Sequence, residues 1–292
     1  MTILHVRHKT TYRYRQPVQF GEHRLMSRPR DSHDLRLIDT SLSISPTPGS
    51  VRWLHDVFGN SIALVNFSQP GSLLVFESGF RAEHFPAPMQ ASELEPYAAS
   101  FPFSYAAEDA IDLGRTKERH YSDPEHRVDV WAKGVMERTP GGGTLQVLEG
   151  MTKAIKAQFG YVARDAVGVQ SPLETLALGT GSCRDFAVFM MEAVRSLGLA
   201  ARFVSGYLYD ERLIGGASGL VGTGATHAWL QVYLPGAGWV EFDPTNALVG
   251  SRNLIRVAVA RDASQAAPLV GSFSGLASDA LGMEVEVQVT TE

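Results

Sequence analysis

Between residues 3 and 85 apolar and polar side chains alternate, and after residue 144 the period lengthens to that of a helix before returning to two. This change of period constrains the fold more than any other feature of the chain. Ile3, His5 and Arg7 interleave with Leu4, Val6 and His8. The runs TTYRYR, LRLIDTSLSIS, SVRWLHDVFGNSIALVNFS and SLLVFESGFRAEHF follow, rich in Thr, Tyr, Val, Ile and Phe and punctuated by Pro48-Gly49, Gly59-Asn60 and Pro70-Gly71. Successive side chains of a strand point to opposite faces, so period-two runs at this spacing argue for an antiparallel sandwich or open barrel over residues 1–85. Residues 1–50 carry eight Lys or Arg against four Asp or Glu. That excess reads as a solvated outer strand face, with a patch for an acidic ligand as the alternative.

Residues 86–140 break the pattern with Pro86, Pro88, Pro96, Pro102, Pro124 and Pro140, and read as a connecting segment with short helical turns. The run Pro140-Gly141-Gly142-Gly143 that ends it is followed by no Gly-Lys-Ser/Thr, so it reads as a turn and not as a phosphate loop. From there to residue 292 helices come first and strands afterwards. Thr144 is placed to cap LQVLEGMTKAIKAQF, with Leu145, Leu148, Thr152, Ile155 and Phe159 on one stripe. Ser171-Pro172-Leu173-Glu174 has the form of a capping box with Pro at the first helical position. In GTGSCRDFAVFMMEAVRSLG the helix starts at Gly181 or Ser182, buries Phe186, Phe189, Met190, Ala193, Val194 and Leu197, and stops at Gly198. ARFVSGYLYD, THAWLQVYLP, WVEFDP and LIRVAVARD are strands, and the alternating GMEVEVQVTT should close an edge. The glycine-rich LIGGASGLVGTGAT, residues 213–226, reads as a mobile loop. Helices followed by an antiparallel sheet make residues 141–292 an α+β unit.

Composition excludes several classes. With 44% hydrophobic and 20% charged residues, the 292-residue chain can bury a sizeable core and is long enough for two domains. Its net charge of −5 gives no reason to expect nucleic acid as a partner. The longest apolar stretch, Phe186 to Met191, stops at Glu192, far short of the roughly 20 residues a membrane span needs. MTILHVRHKTTYRYRQPV has no apolar stretch of the kind a secretory leader carries. The expectation is a soluble, cytoplasmic protein without a membrane partner. One cysteine excludes an internal disulfide and a multi-cysteine zinc site.

That cysteine, Cys183, falls in the first turn of the most apolar helix, where free backbone N–H groups and the helix dipole favour a thiolate. Beside it stand Arg184 and Asp185, which read as helix-end charges. From residue 127 onward there is one histidine, His227, at the start of a strand, and Asp243 ends the next strand 16 residues later. Each alone has an ordinary reading: a packed thiol, an exposed strand-end imidazole, a turn carboxylate before proline. Together they supply one mechanism. A thiolate nucleophile needs an imidazole to take and return a proton, and the imidazole needs a carboxylate to fix its tautomer. A hairpin centred on residues 236–237, however, sets Asp243 opposite residue 230, three residues or about 10 Å from His227. A bulge, an offset turn or strong twist must close that gap.

The segments GSCRDFA, ARFVSGYL, THAWLQVYLPGAGW and FDPTN resemble the bacterial transglutaminase-like cysteine peptidase family, whose core shares the papain-like Cys–His–Asp arrangement. SRPRDSHDLRLIDTSLSISPTP and WLHDVFGNSIALVNF are similar to the β-rich N-terminal region that accompanies this core, so the resemblance covers most of the chain. It implies Cys183 as nucleophile, His227 as general base and Asp243 as orienting acid, with no metal and no cofactor. One stretch departs from the family pattern: Arg261-Asp262-Ala263-Ser264-Gln265-Ala266 stands where relatives read Arg-Asp-Tyr-Ser-Asp-Val. For the oxyanion the Cys183 backbone N–H is a natural donor, and Gln170 or Tyr161 is the candidate second donor.

The expected architecture is α+β: a papain-like, transglutaminase-like core preceded by an antiparallel β-sandwich. The expected reaction is attack of Cys183 on a peptide, protein or small carboxamide carbonyl, with loss of an amine to give a thioester. Water then releases an acid, or a second amine a new amide, depending on whether the cleft and the 213–226 loop exclude water. A catalytically silent interaction scaffold is the reading from another class. The sequence leaves the oligomeric state open.

Overall fold

The computed structural model describes residues 2–86, 89–139, 141–164, 167–210, 220–222 and 224–292. Strands β1 (Thr2–Leu25), β2 (Leu35–Ser45), β3 (Ser50–His55), β4 (Ser61–Asn66) and β5 (Gly71–His84) come first. Helices α1 (Ala107–Leu113), α2 (Arg127–Glu137) and α3 (Thr144–Gln158) follow, then β6 (Gly160–Tyr161), α4 (Pro172–Leu178), β7 (Thr180–Gly181) and α5 (Cys183–Ser196). The chain continues as β8 (Ala201–Leu208), β9 (His227–Leu234), β10 (Gly238–Asp243), β11 (Leu248–Val249), β12 (Leu254–Ala260), β13 (Leu269–Ser274) and β14 (Ala280–Thr291).

The first unit is an antiparallel sheet curled upon itself, and β1 runs through all of it. Its first half pairs with β5 and β14, and its end pairs with β4 and β13. The register shifts between these halves, around residues 13–18, bend the strand. Tyr14, Val18, Phe20, Val65, Leu74 and Phe76 fill the curl. The C-terminal alternation closes an edge, since β14 pairs with β1 alone among the described strands. Residues 269–291, expected in the second unit, are thus hydrogen-bonded into the first. Alternation specifies which face a strand buries and leaves its partner open.

The second unit is a five-stranded antiparallel sheet in the order β11-β10-β9-β8-β12. Helix α5 packs on it, and Phe186, Phe189 and Met190 share one core with Ala228, Leu230, Val232 and Phe242. Each large side chain buried there contributes about 1.5–3 kcal/mol. The helix ends as expected, with Gly198 at φ +84°. Ser171 and Glu174 form their capping box at α4 with Pro172 in the first turn. At α3 the cap differs from expectation. Gly143 is the N-cap, and the Thr144 hydroxyl instead donates to Ala98 O (2.5 Å), because residues 99–101 run antiparallel to residues 142–144. The connecting segment does more than connect: α2 buries Val128, Ala132 and Val135 in the same core. Glu192, fully buried in α5, accepts from Arg119, Arg195 and the backbone N–H groups of His120 and Tyr121, which fastens that segment to the helix.

Among the contacts that join the units, three pair named side chains or strands across them. The Asn60 amide donates to Val259 O (2.6 Å) and accepts from Val259 N–H (2.9 Å), pairing the free edge of β12. Asp56 holds that turn through the N–H groups of Phe58 and Asn60 and through Asn60 Nδ2. His8 Nδ1 lies 2.9 Å from the Tyr207 hydroxyl, within a cluster of Leu4, Val6, Phe80, Tyr209, Ile255 and Val287. The Val287 N–H donates to Gly224 O, three residues before His227. No helix among the described residues is long and apolar enough to cross a membrane.

Candidate active site

Cys183 is the first residue of α5 and is 7% exposed. The chain reaches it through a tight approach. A side chain on Gly181 would meet Asp185, Phe186 and Gln170 at 2.9–3.2 Å, so glycine is the residue that fits. Asp185, fully buried, accepts from the Ser182 N–H and hydroxyl (both 2.8 Å), the Gln170 N–H (2.7 Å) and Arg164 Nη1 (2.7 and 2.8 Å). Burial would raise its carboxyl, but these donors hold it below the usual carboxylate range. Asp185 therefore anchors the N-terminus of the helix and has both oxygens engaged there.

The short parallel ladder of β6 and β7 sets Tyr161 opposite Gly181, with Val162 N–H donating to Gly181 O (2.9 Å). The phenol is raised first by burial and then by the charge of Cys183, so the two side chains are electrostatic neighbours. Gln170 lies against Gly181, and its side-chain oxygen accepts from the Thr175 hydroxyl (3.2 Å), which leaves Nε2 as the end that can donate. Arg184 reaches back to Arg164 O (3.0 Å).

The hairpin of β9 and β10 resolves the register. Residues 235–237 form the turn, Gly238 pairs with Leu234 and Phe242 with Leu230, so Asp243 falls opposite Trp229. The turn is offset by one residue from the symmetric hairpin expected at 236–237, and that offset has a large consequence. A one-residue slip moves a side chain to the other face of a sheet. In the observed register Asp243, Glu241, Trp229 and His227 share a face, while Leu230 and Phe242 face the core of α5.

His227 Nε2 is 2.8 Å from Asp243 Oδ2, and both side chains are fully buried. Burial alone pushes the imidazole down; the Asp243 carboxylate, and then Cys183, outweigh it and push it up to about 10. Burial likewise opposes the charge on Asp243, but His227, Asn246 and the Thr245 N–H hold its carboxyl below the ordinary range. The other ring nitrogen, Nδ1, is buried and has no hydrogen-bond partner among the described residues, which leaves it available to the thiol. Trp229 stacks on the imidazole with centroids 5.9 Å apart, and its indole N–H donates to Glu241 (2.5 Å).

Two further residues were not singled out from the sequence. The Thr245 N–H donates to Asp243 Oδ1 (2.9 Å) and Asn246 Nδ2 to Asp243 Oδ2 (2.8 Å). Their signal was the FDPTN run itself, since residues just past an Asp-Pro turn fold back on the aspartate. Residues 213–219 and 223 of the glycine-rich loop lie outside the described residues. Among the described residues no three His, Cys, Asp or Glu side chains are grouped to hold a metal ion. The divergent 261–266 stretch forms a short helical turn capped by Asp262, whose carboxylate accepts from Ser264 N–H.

Two family models match the chain: the bacterial transglutaminase-like N-terminal region over residues 4–83 and the transglutaminase-like superfamily core over residues 139–244. The second match contains Cys183, His227 and Asp243. An uncharacterized protein of Mycobacterium tuberculosis is 29% identical over 278 residues, 91% of this chain and 86% of its own length. A solved structure from Cytophaga hutchinsonii, described as a candidate cysteine protease, has a TM-score of 0.73 at 18% identity and covers 99% of this chain and 90% of that one. At that identity the likeness speaks for the fold. A protein-glutamine gamma-glutamyltransferase of Pseudomonas aeruginosa is 34% identical over 73 residues, 25% of this chain and 11% of its own length.

Proposed function

The chain belongs to the transglutaminase-like superfamily, and on that premise we propose that Cys183, His227 and Asp243 perform thiol-dependent acyl transfer on a peptide or carboxamide carbonyl. The observation that carries this is the buried imidazole with Nε2 committed to Asp243 and Nδ1 left for Cys183.

The Cys183 proton passes to His227 Nδ1, and the sulfur bonds to the carbonyl carbon. The oxygen of the tetrahedral intermediate takes the charge at the start of α5, where the Cys183 backbone N–H donates with Tyr161 or Gln170 as second donor. As the carbon–nitrogen bond breaks, the imidazolium returns its proton to the leaving amine, and a thioester remains. Water then gives its proton to His227 and attacks the thioester. The acid leaves, and the thiol recovers its proton from His227. Asp243 keeps one tautomer through both halves.

With water as the acceptor, the outcome is hydrolysis. A second reading, in which an amine replaces water and a new amide forms, is favoured by the local similarity to the Pseudomonas enzyme named for that transfer. The test is to incubate the protein with a glutamine-containing casein and a fluorescent primary amine, measuring released acid and ammonia alongside covalent fluorescence. Fluorescence dependent on Cys183 selects transfer, and amide cleavage without it selects hydrolysis. If neither appears with any amide tried and Cys183 behaves as an ordinary thiol, the interaction scaffold replaces both. The reaction is proposed for the cytoplasm, and fractionating cells that carry a tagged chain tests that location.

A further inference from the structure

Around the imidazole of His227 the described residues include Asp243 at Nε2, Trp229 stacked on its face and the backbone of Gly222 at the Nδ1 edge. Gly222 lies close enough that a side chain there would place its first carbon 2.8 Å from Nδ1 and 3.4 Å from Cε1. Its φ of +97° is also one that L side chains rarely adopt. The residue before it, Val221, is held on both sides of its peptide by one side chain. Its N–H donates to Asn246 Oδ1 (2.8 Å), and its carbonyl accepts from Asn246 Nδ2 (3.1 Å). The same Nδ2 donates to Asp243 Oδ2, the oxygen that also takes His227. Asn246 is buried, and Ala247 directly after it sits at φ +55°, a left-handed conformation that a non-glycine residue keeps only when its surroundings impose it.

We infer that Asn246 is a positioning residue, which fastens the 220–222 strap to Asp243 and thereby holds His227 Nδ1 toward Cys183. This inference rests on the acyl-transfer reading above. A single amide spans the strap and the carboxylate, so neither can move without the other. With the carboxylate end fixed, the strap backbone closes the space into which the ring would tilt, and Nδ1 is kept on the thiol. Asn246 does not touch the reacting atoms and acts through the imidazole.

The experiment uses the full chain and iodoacetamide, measuring the second-order alkylation rate of Cys183 at pH 6 and pH 9 and taking the ratio within each protein. A free thiol near pKa 8.5 reacts about two-hundredfold slower at pH 6 than at pH 9, because the thiolate is the nucleophile. The wild type, with a held imidazolium, should lie within about tenfold of equal rates, and His227→Ala should fall to the free-thiol ratio. Asn246→Ala should lower the wild-type ratio by about tenfold or more while the pH 9 rate stays near normal. A role confined to stability would lower the melting temperature and leave the ratio alone, and a folded Asn246→Ala with the wild-type ratio overturns the inference. Gly222→Ala, on the strap and outside the core, gives an independent reading: a wedged methyl should lower the ratio with Asn246 intact, and an unchanged ratio there also overturns it. If the wild-type ratio already equals that of His227→Ala, the acyl-transfer reading fails and this inference falls with it.

Discussion

Asp243 lies two residues out of register with His227 across the β9–β10 hairpin, yet its Oδ2 is 2.8 Å from His227 Nε2. The even offset is what permits this, because residues two apart on a strand share a face. Asn246 and Thr245 take the remaining capacity of the carboxylate, so a charge buried this deeply has no unsatisfied oxygen. Replacing Asp243 by Asn removes the negative charge and keeps the shape. The largest influences that raise His227 are then gone, Cys183 alone is left to oppose burial, and the imidazolium is no longer held at neutral pH. Amide turnover should fall by about a thousandfold or more, and alkylation of Cys183 at pH 6 should slow toward the rate of His227→Ala. Stopped-flow alkylation and amide assays on the same preparations check both.

The interface of the two units carries its own pH dependence. His8 is buried beside Tyr207 and Thr10, and burial lowers its imidazole from 6.5 to about 4. In the unfolded chain His8 takes up a proton below about 6.5, and in the folded chain only near 4, so the unfolded state binds more protons between these values. The neutral His8 therefore costs stability as pH falls through that window, by about 3 kcal/mol once pH is below 4. His227 runs the other way. Its raised value gives stability that is complete below about 6.5 and is lost as pH rises toward 10. Urea unfolding at pH 7, 5.5 and 4 should show His8→Gln losing less stability on acidification than the wild type.

Much of the second unit was legible because its signals are local. The Ser171 capping box, the Gly198 stop and the apolar stripe of α5 are each written within a few residues, and Cys183 stood out as the one cysteine at a helix start. Helix α2 was hidden by the prolines around it, although Val128, Ala132 and Val135 have helical spacing. The hairpin register could not be read because Pro235-Gly236-Ala237-Gly238 allows more than one turn, and a single-residue choice decides which face Asp243 takes. The return of β13 and β14 to β1 was not legible, since their alternation names no partner. Asn246 makes its bonds across 25 residues of sequence to Val221, a link that no local pattern encodes.

The Asn60 turn should behave as a structural latch. Its amide makes two hydrogen bonds to the edge of β12, and Asp56 orients it. Asn60→Ala leaves the Val259 N–H and C=O unpaired at a buried site, a loss of about 1–3 kcal/mol for each group left unsatisfied. Denaturant unfolding should show a lower midpoint, with the pH 6 to pH 9 alkylation ratio of Cys183 unchanged, because the latch bonds touch neither His227 nor Asp243.

Tyr161 can be separated from Gln170 by choosing reactions that do and do not make an oxyanion. Alkylation by iodoacetamide is a displacement at carbon that builds no charge on a carbonyl oxygen, whereas amide cleavage does. The parallel ladder sets Tyr161 opposite Gly181, two residues before the nucleophile, and the charge of Cys183 adds to the burial that raises its phenol. Tyr161→Phe should therefore keep the wild-type alkylation rate and lose amide turnover by about a hundredfold or more, the effect of removing one oxyanion donor. Gln170→Ala should lose less, since its backbone N–H on Asp185 survives the substitution and only the free end of the side chain goes. If Tyr161→Phe turns over normally and Gln170→Ala does not, the second donor is the amide and the phenol only lines the cleft. Comparing turnover with alkylation in each variant distinguishes lost transition-state stabilisation from a disturbed thiol, which would slow both.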